Sequence, residues 1–259
     1  MSSLADAAEA QGRGLTATSS SSSDSASTAA AGLSTWAARL KVSLAKSRSV
    51  RGSNYIQIAT VCAETGRPRN RTVVFRGLRE RTGALEGIPQ LKMITDTRSE
   101  KAAHIASNPA CEAVYWFAKT SEQYRIDGDL ILVDSLLDDS ELQAARLEQW
   151  KKLSDPAREQ FWWDAPGEWR GPPSDVPAGG REAAAVRQDD DGDDAPVAAT
   201  AAVAGTGKIL PPPANFALLL LEPVRVKYLR LTDNLAIQDE GLAGPGEPGG
   251  DWVCTRINP

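Results

Sequence analysis

The feature that most constrains this chain is a succession of short apolar runs between Tyr55 and Val133, rich in β-branched and aromatic residues and separated by turn chemistry. Tyr55–Cys62 sets Ile56 and Ile58 against Gln57 and Ala59, the alternation of a half-buried strand. Glu64-Thr65-Gly66-Arg67-Pro68 then supplies a turn, with a glycine free to take positive φ and a proline that fixes φ. Thr72–Phe75 and Leu91–Thr95 are the next two strands, and Ala113–Phe117 and Gln123–Val133 form a further pair around a polar connection. Consecutive strands with short links predict an antiparallel sandwich or barrel. After a long interruption, Phe216–Leu231 resumes as a buried strand that becomes half-exposed. Asp251–Ile257 closes the chain with another alternating run.

Helices flank this sheet. Thr35–Ser47 places Trp36, Leu40 and Leu44 at helical spacing with Arg39, Lys41 and Lys46 between them, which reads as a packing helix leading into the barrel. Asp138–Leu153 has Leu142, Ala145, Leu147 and Trp150 at helical intervals, acids in its first turn and lysines in its last, as the helix dipole favours. Asp155–Phe161 starts a further turn with Pro156 at a first helical position. The aromatic cluster Phe161, Trp162, Trp163 and Trp169 is either packed core or the wall of a ligand pocket.

Two segments depart from this pattern. Residues 1–34 are Ser-, Ala- and Thr-rich and lack the apolar content to order themselves. Their acids and single Arg13 favour a disordered tail over an organellar transit peptide, and they lack a secretory apolar core. A span of about 172–210 is Pro-, Gly- and Ala-rich around the acidic run Asp189–Asp194, and predicts a disordered insertion. The acidic run does not follow the ligand spacing of a calcium loop, so it reads as solvated charge. The expected organisation is therefore a tail at 1–34 and one domain at 35–259, interrupted by that insertion.

Composition excludes several functions. Net charge is −5 with no basic stripe, which argues against nucleic acid. No apolar run approaches the ~18 residues of a membrane span. Cys62, Cys111 and Cys254 have no metal-ligand spacing, and their odd number fits a reducing compartment: the cytoplasm, or the chloroplast if the N-terminus is a transit peptide. His104 is the only histidine, so neither a His-based metal site nor a Ser-His-Asp triad is expected; among Ala102, Ala103 and Ile105 it reads as a structural helix residue.

Cations and hydroxyls collect at strand ends. Arg71 and Arg76 bracket the second strand, and Thr95, Arg98, Ser99 and Lys101 cluster where the third gives way to a helix. Such a cluster suits a phosphate, because a helix N-terminus adds free N–H donors and a positive dipole end. From the residues alone, ordinary solvated charges with Asp96 or Ser99 as N-cap account for it at least as well.

The order of four motifs adds to this: Arg71-Thr72-Val73-Val74-Phe75-Arg76, then Thr95-Asp96-Thr97-Arg98-Ser99-Glu100-Lys101, then Ser107-Asn108-Pro109, then Glu122-Gln123-Tyr124-Arg125-Ile126-Asp127-Gly128. Together with the terminal Arg256-Ile257-Asn258-Pro259, it resembles the pyridoxamine 5′-phosphate oxidase family, and within it the branch of cyanobacteria, algae and plants. The resemblance spans roughly residues 35–170 and 214–259. It implies a mainly β fold with flanking helices, an FMN-binding split β-barrel of antiparallel Greek-key type. It also implies a homodimer with FMN at the subunit interface and a small-molecule substrate. The positions it marks for the cofactor are Arg71, Thr72, Val73, Arg76, Thr95, Arg98, Ser99, Lys101 and Gln123. Gln123 suits the polar edge of a flavin ring, and the cations suit its phosphate.

The chain departs from the family in places. Arg76 stands where the oxidase has lysine, and Glu100 where it has an arginine beside Lys101, so Arg98 is the candidate replacement cation. Leu229 falls near a family tryptophan that touches flavin. Thr232–Ile237 lacks the Arg-x-His with which the oxidase grips pyridoxal phosphate. The expected activity is flavin-dependent oxidation of some other small molecule. The alternative is a non-catalytic flavin binder or sensor, and a true pyridoxamine 5′-phosphate oxidase is a weaker expectation. No residue stands out as catalytic.

Overall fold

The structure, a computed structural model, describes residues 35–81, 88–168, 203–204, 208–241 and 252–259. The chain runs α1 (Trp36–Ser47), β1 (Tyr55–Val61), β2 (Pro68–Val74), β3 (Leu78–Arg79), β4 (Gln90–Asp96), α2 (Glu100–Ser107), β5 (Ala110–Phe117) and β6 (Glu122–Val133). It continues with α3 (Ser140–Lys151), α4 (Asp155–Glu159), a single 3₁₀ turn (Gln160–Trp162), β7 (Val203–Ala204), β8 (Lys208–Ile209), β9 (Phe216–Arg230), β10 (Leu235–Gly241) and β11 (Trp252–Ile257).

The main sheet is antiparallel, in the order β11-β10-β9-β6-β5-β1-β2. Two further contacts close it into a barrel. β4 pairs with the first half of β9, Leu91 opposite Leu221 through Asp96 opposite Phe216. Beyond β2, Arg76 donates its N–H to Lys92 O and Lys92 donates to Gly77 O, both at 2.8 Å, so the β2–β3 segment runs alongside β4. The ring is thus β1, β2–β3, β4, β9, β6, β5 and back to β1. β10 and β11 extend from the second half of β9 and stay outside that ring. This is the split barrel.

Burial follows from these pairings. Phe216–Leu221 is buried at every position, because β9 here lies between β4 and β6 with α3 packed across it. Leu218, Leu220 and Val133 meet Leu142 and Ala145 of α3, while Trp150 and Phe161 pack on Phe216. Arg146 of α3 is buried and donates from Nε and Nη2 to Phe216 O at 3.0 and 2.9 Å, which satisfies a strand-end carbonyl. Of the aromatic cluster, Phe161 is core, whereas Trp162 and Trp163 are exposed; Trp169 lies outside the described residues.

The N-terminal tail and most of the acidic insertion also lie outside the described residues. The end of the insertion carries structure that its composition did not suggest. Val203–Ala204 pairs with Lys208–Ile209, and Leu210 O accepts the buried indole N–H of Trp150 at 2.7 Å. β10 was not expected either, since Leu235–Gly241 follows a polar turn and runs into Gly and Pro. It forms because β9 presents a free edge from Arg225 to Arg230.

One backbone approach fixes the bend where β6 and β9 cross from one half of the barrel to the other. The register shifts between Asp127 and Gly128, so that Gly128 lies opposite Pro223 and Val224 is the extra residue of a bulge. A proline fits there because the bulge needs no ladder N–H from it. A Cβ on Gly128 would stand 2.0 Å from Glu222 O. Gly128→Ala is therefore expected to destabilise the fold by at least about 2 kcal/mol, the cost of forcing backbone apart in a packed sheet. Urea denaturation measures this, and an unchanged midpoint would show that the crossing is slack.

Candidate functional site

Where β4 ends, Asp96 turns the chain and α2 begins. Ser99 is the N-cap residue of α2 but makes no side-chain cap; its Oγ donates to Asp96 O at 2.6 Å. Lys101, in the first turn, folds back and donates from Nζ to Thr95 Oγ1 at 3.0 Å and Ser99 Oγ at 3.2 Å. Thr95 and Ser99 are both buried, with their hydroxyls 3.3 Å apart. Arg71 approaches from β2, and its Nη1 donates to Thr60 Oγ1 at 2.7 Å and, more weakly, to Ile58 O at 3.5 Å.

The electrostatics of this corner are unbalanced. Lys101 and Arg71 both hydrogen-bond to neutral oxygens. Burial pushes the Lys101 ammonium below its ordinary pKa, and the nearby charge of Arg71 pushes it further; Asp96 offsets this only in part. Arg71 is lowered chiefly by burial. Two desolvated cations beside two hydroxyls and an uncapped helix start form a receptor for a multiply charged oxyanion, which would relieve both penalties.

Arg98 does not join them. Its Nε and Nη2 fork onto both oxygens of Asp96 at 2.7–3.2 Å, and Nη2 also donates to Trp163 O at 3.0 Å. Burial raises the Asp96 pKa, but the hydrogen bonds from Arg98 and Asn215 outweigh it and leave that carboxyl low. Arg98, expected as the replacement for the missing family cation, is engaged here with Asp96 and Trp163 O, where it ties the β4–α2 turn.

The remaining predicted residues lie elsewhere. Arg71 pairs with Ile58, on the inward face of β1, whereas Thr72 pairs with Gln57 on the outward face. Gln123 lies opposite Trp116 and Leu229, in a row on that same outward face. Val73 shares the parity of Arg71 on β2. Arg76 lies past the end of β2, in the backbone seam with Lys92. A cavity of about 570 Å³ opens on the outward face, with Gln57, Thr72 and Trp116 in its lining and Arg51 and Lys119 among its cations. Apart from Thr72, none of these lining residues was singled out from sequence, since a strand's alternation marks two faces without saying which one bounds a cavity. Thr60 was missed because a buried hydroxyl inside an apolar strand looks like packing. Among the described residues, no three His, Cys, Asp or Glu side chains stand close enough to hold a metal ion.

The chain is similar to known proteins. Residues 33–134 match the family model of the FMN-binding domain of pyridoxamine 5′-phosphate oxidase. The crystal structure of a pyridoxamine 5′-phosphate oxidase-related, FMN-binding protein from Nostoc punctiforme is 36% identical, covers 88% of this chain and 99% of its own, and superposes with a TM-score of 0.66. The chain belongs to the pyridoxamine 5′-phosphate oxidase-like family of FMN-binding proteins. Pyridoxine/pyridoxamine 5′-phosphate oxidase 2 of Arabidopsis thaliana is 28% identical over 228 residues, 88% of this chain and 98% of the relative. PhzG from Burkholderia lata shares the fold at 18% identity and a TM-score of 0.59, over 86% of this chain and 91% of its own.

The family's cofactor is FMN, and the residues present fit its phosphate: Arg71 and Lys101 supply charge, Thr95 and Ser99 supply hydroxyls. A hydrogen bond to a charged group contributes about 1.5–3 kcal/mol, so Arg71→Ala and Lys101→Met are each expected to weaken FMN about tenfold or more. Riboflavin, which lacks the phosphate, is expected to bind all variants alike, and Arg98→Ala to leave FMN affinity unchanged. Flavin fluorescence titrations measure these affinities; an equal loss for FMN and riboflavin would remove the phosphate assignment.

Proposed function

We propose that this protein is an FMN-dependent oxidoreductase that acts, as a homodimer, on a small molecule other than pyridoxamine 5′-phosphate. The observation that carries this is the cavity on the outward face, which includes Thr72, the neighbour of Arg71 on β2. FMN supplies two-electron redox chemistry when bound, and the cavity offers a second molecule a place beside the strand that holds the phosphate cation. Arg51 and Lys119 give that cavity a preference for anionic small molecules.

The division of the predicted set between two faces supports the homodimer reading. Arg71 and its partners are inward, at the barrel rim, while Thr72 and Gln123 face outward with Trp116, which is 43% exposed. A ligand held by both groups either passes around the edge of β2 or meets Gln123 from a second copy of the chain. The second arrangement also covers Trp116.

Pyridoxamine 5′-phosphate is disfavoured by the β9–β10 hairpin. Where the oxidase has its Arg-x-His, this chain makes a tight turn through Asn234, at φ 52°, and Arg230 is forked onto Asp233 at 2.8 and 2.7 Å. Arg230 is therefore already engaged, and Arg256 lies on β11 opposite Ile237. Loss of two donors to a phosphate removes on the order of 3–6 kcal/mol of binding.

The expected result with FMN-loaded protein is hydrogen peroxide release from pyridoxamine 5′-phosphate at a kcat/KM below about 10⁴ M⁻¹s⁻¹. Small anionic donors are expected to bleach the flavin absorbance anaerobically. An ordinary kcat/KM with pyridoxamine 5′-phosphate would restore the oxidase, and no bleaching by any donor would leave a flavin carrier.

A further inference from the structure

Thr60, which accepts from Arg71, and His104 are both buried, at 1% and 4% exposure, behind Arg71. Thr60 Oγ1 accepts from Arg71 Nη1 at 2.7 Å and lies 3.1 Å from His104 Nδ1. A guanidinium only donates, so the hydroxyl oxygen accepts there and its own proton is free for His104. Nδ1 then accepts, and the ring proton sits on Nε2, which faces Glu100 Oε1 at 3.5 Å.

The three residues come from three elements. Arg71 is on β2, Thr60 on β1 and His104 on α2, one turn after Lys101. An arginine side chain has much rotamer freedom, and ordering it on ligand binding costs affinity. The Thr60 hydroxyl removes part of that freedom beforehand. Through His104 it also ties Arg71 to the helix that carries Lys101, so the separation of the two cations is set by the β1–α2 packing. Glu100, the residue that departs from the family beside Lys101, faces the far nitrogen of the same histidine.

We propose that Thr60 and His104 are positioning residues that preorganise Arg71 for the flavin phosphate, so that the protein's only histidine serves cofactor affinity. The inference rests on the assignment of Arg71 to that phosphate. Titrations with FMN and with riboflavin test it, because a purely structural role would move both affinities together. Thr60→Val, which keeps the shape and removes the hydroxyl, is expected to weaken FMN about tenfold and leave riboflavin unchanged. Thr60→Ser, which keeps the hydroxyl, is expected to stay within about twofold of the parent. His104→Ala is expected to weaken FMN selectively, and His104→Asn, whose amide reaches the place of Nδ1, to recover most of the loss. If Thr60→Val fails to fold, the two His104 variants decide. In an Arg71→Ala background, Thr60→Val is expected to cost nothing further for FMN. Unchanged FMN affinity in Arg71→Ala would overturn the phosphate assignment itself. A weakened Arg71→Ala beside an unaffected Thr60→Val and His104→Ala, or an equal loss of FMN and riboflavin, would overturn the relay alone.

Discussion

The architecture depends on β9 having more than one partner along its length. Of its 15 residues, Leu218–Arg230 run beside β6 apart from the bulged Val224, Phe216–Leu221 pair with β4, and Arg225–Arg230 pair with β10. Every strand-edge group must find a partner or water, and a strand with two neighbours for its whole length would sit in a continuous sheet. Here the second neighbour changes near the bulge opposite Gly128, so the sheet closes on one side of that point and opens on the other. The six consecutive buried residues Phe216–Leu221 are the apolar signature of the closed half. The alternation after Pro223 is the signature of the open one.

The site uses the rim of the closed half. Bringing Arg71 and Lys101 together, with only partial compensation from Glu100 and Asp96, costs desolvation and repulsion. The fold meets that cost with hydroxyls and packing: Thr95 and Ser99 hold the lysine, and Thr60 holds the arginine. Nearby Arg98 shows a different solution, with its charge paired to Asp96 across the turn. Arg98 and Lys101 are three residues apart in sequence, and their partners are separated by what each can reach.

The departure on the substrate side has the same character. Arg230 keeps a cation near the place where the oxidase grips its substrate, but the hairpin supplies Asp233 three residues later and the pair closes on itself. A cation's presence in sequence thus says little about its availability.

Much of the fold was legible from sequence. Apolar runs rich in β-branched and aromatic residues marked β1, β2, β4, β5, β6, β9 and β11, with the alternation of a half-buried strand in β1, β11 and the second half of β9. Helical spacing and end charges marked α1 and α3. Thr35 and Asp139 do cap those helices, each accepting an N–H three residues on. The order of motifs marked the family and FMN, since spacing between strand ends survives where single residues do not. β10 was not legible, because Leu235–Gly241 becomes a strand only when β9 offers it an edge. The site was legible as a list of residue types, and the tertiary structure sorted that list. It put Arg71, Thr95, Ser99 and Lys101 in one corner, sent Arg98 to Asp96, and turned Thr72 and Gln123 to the outward face. The physical reason is that a sequence states which charges and hydroxyls exist, while their partners are chosen by contacts between segments distant in the chain. Thr60 and His104, 44 residues apart, meet only when α2 packs on β1.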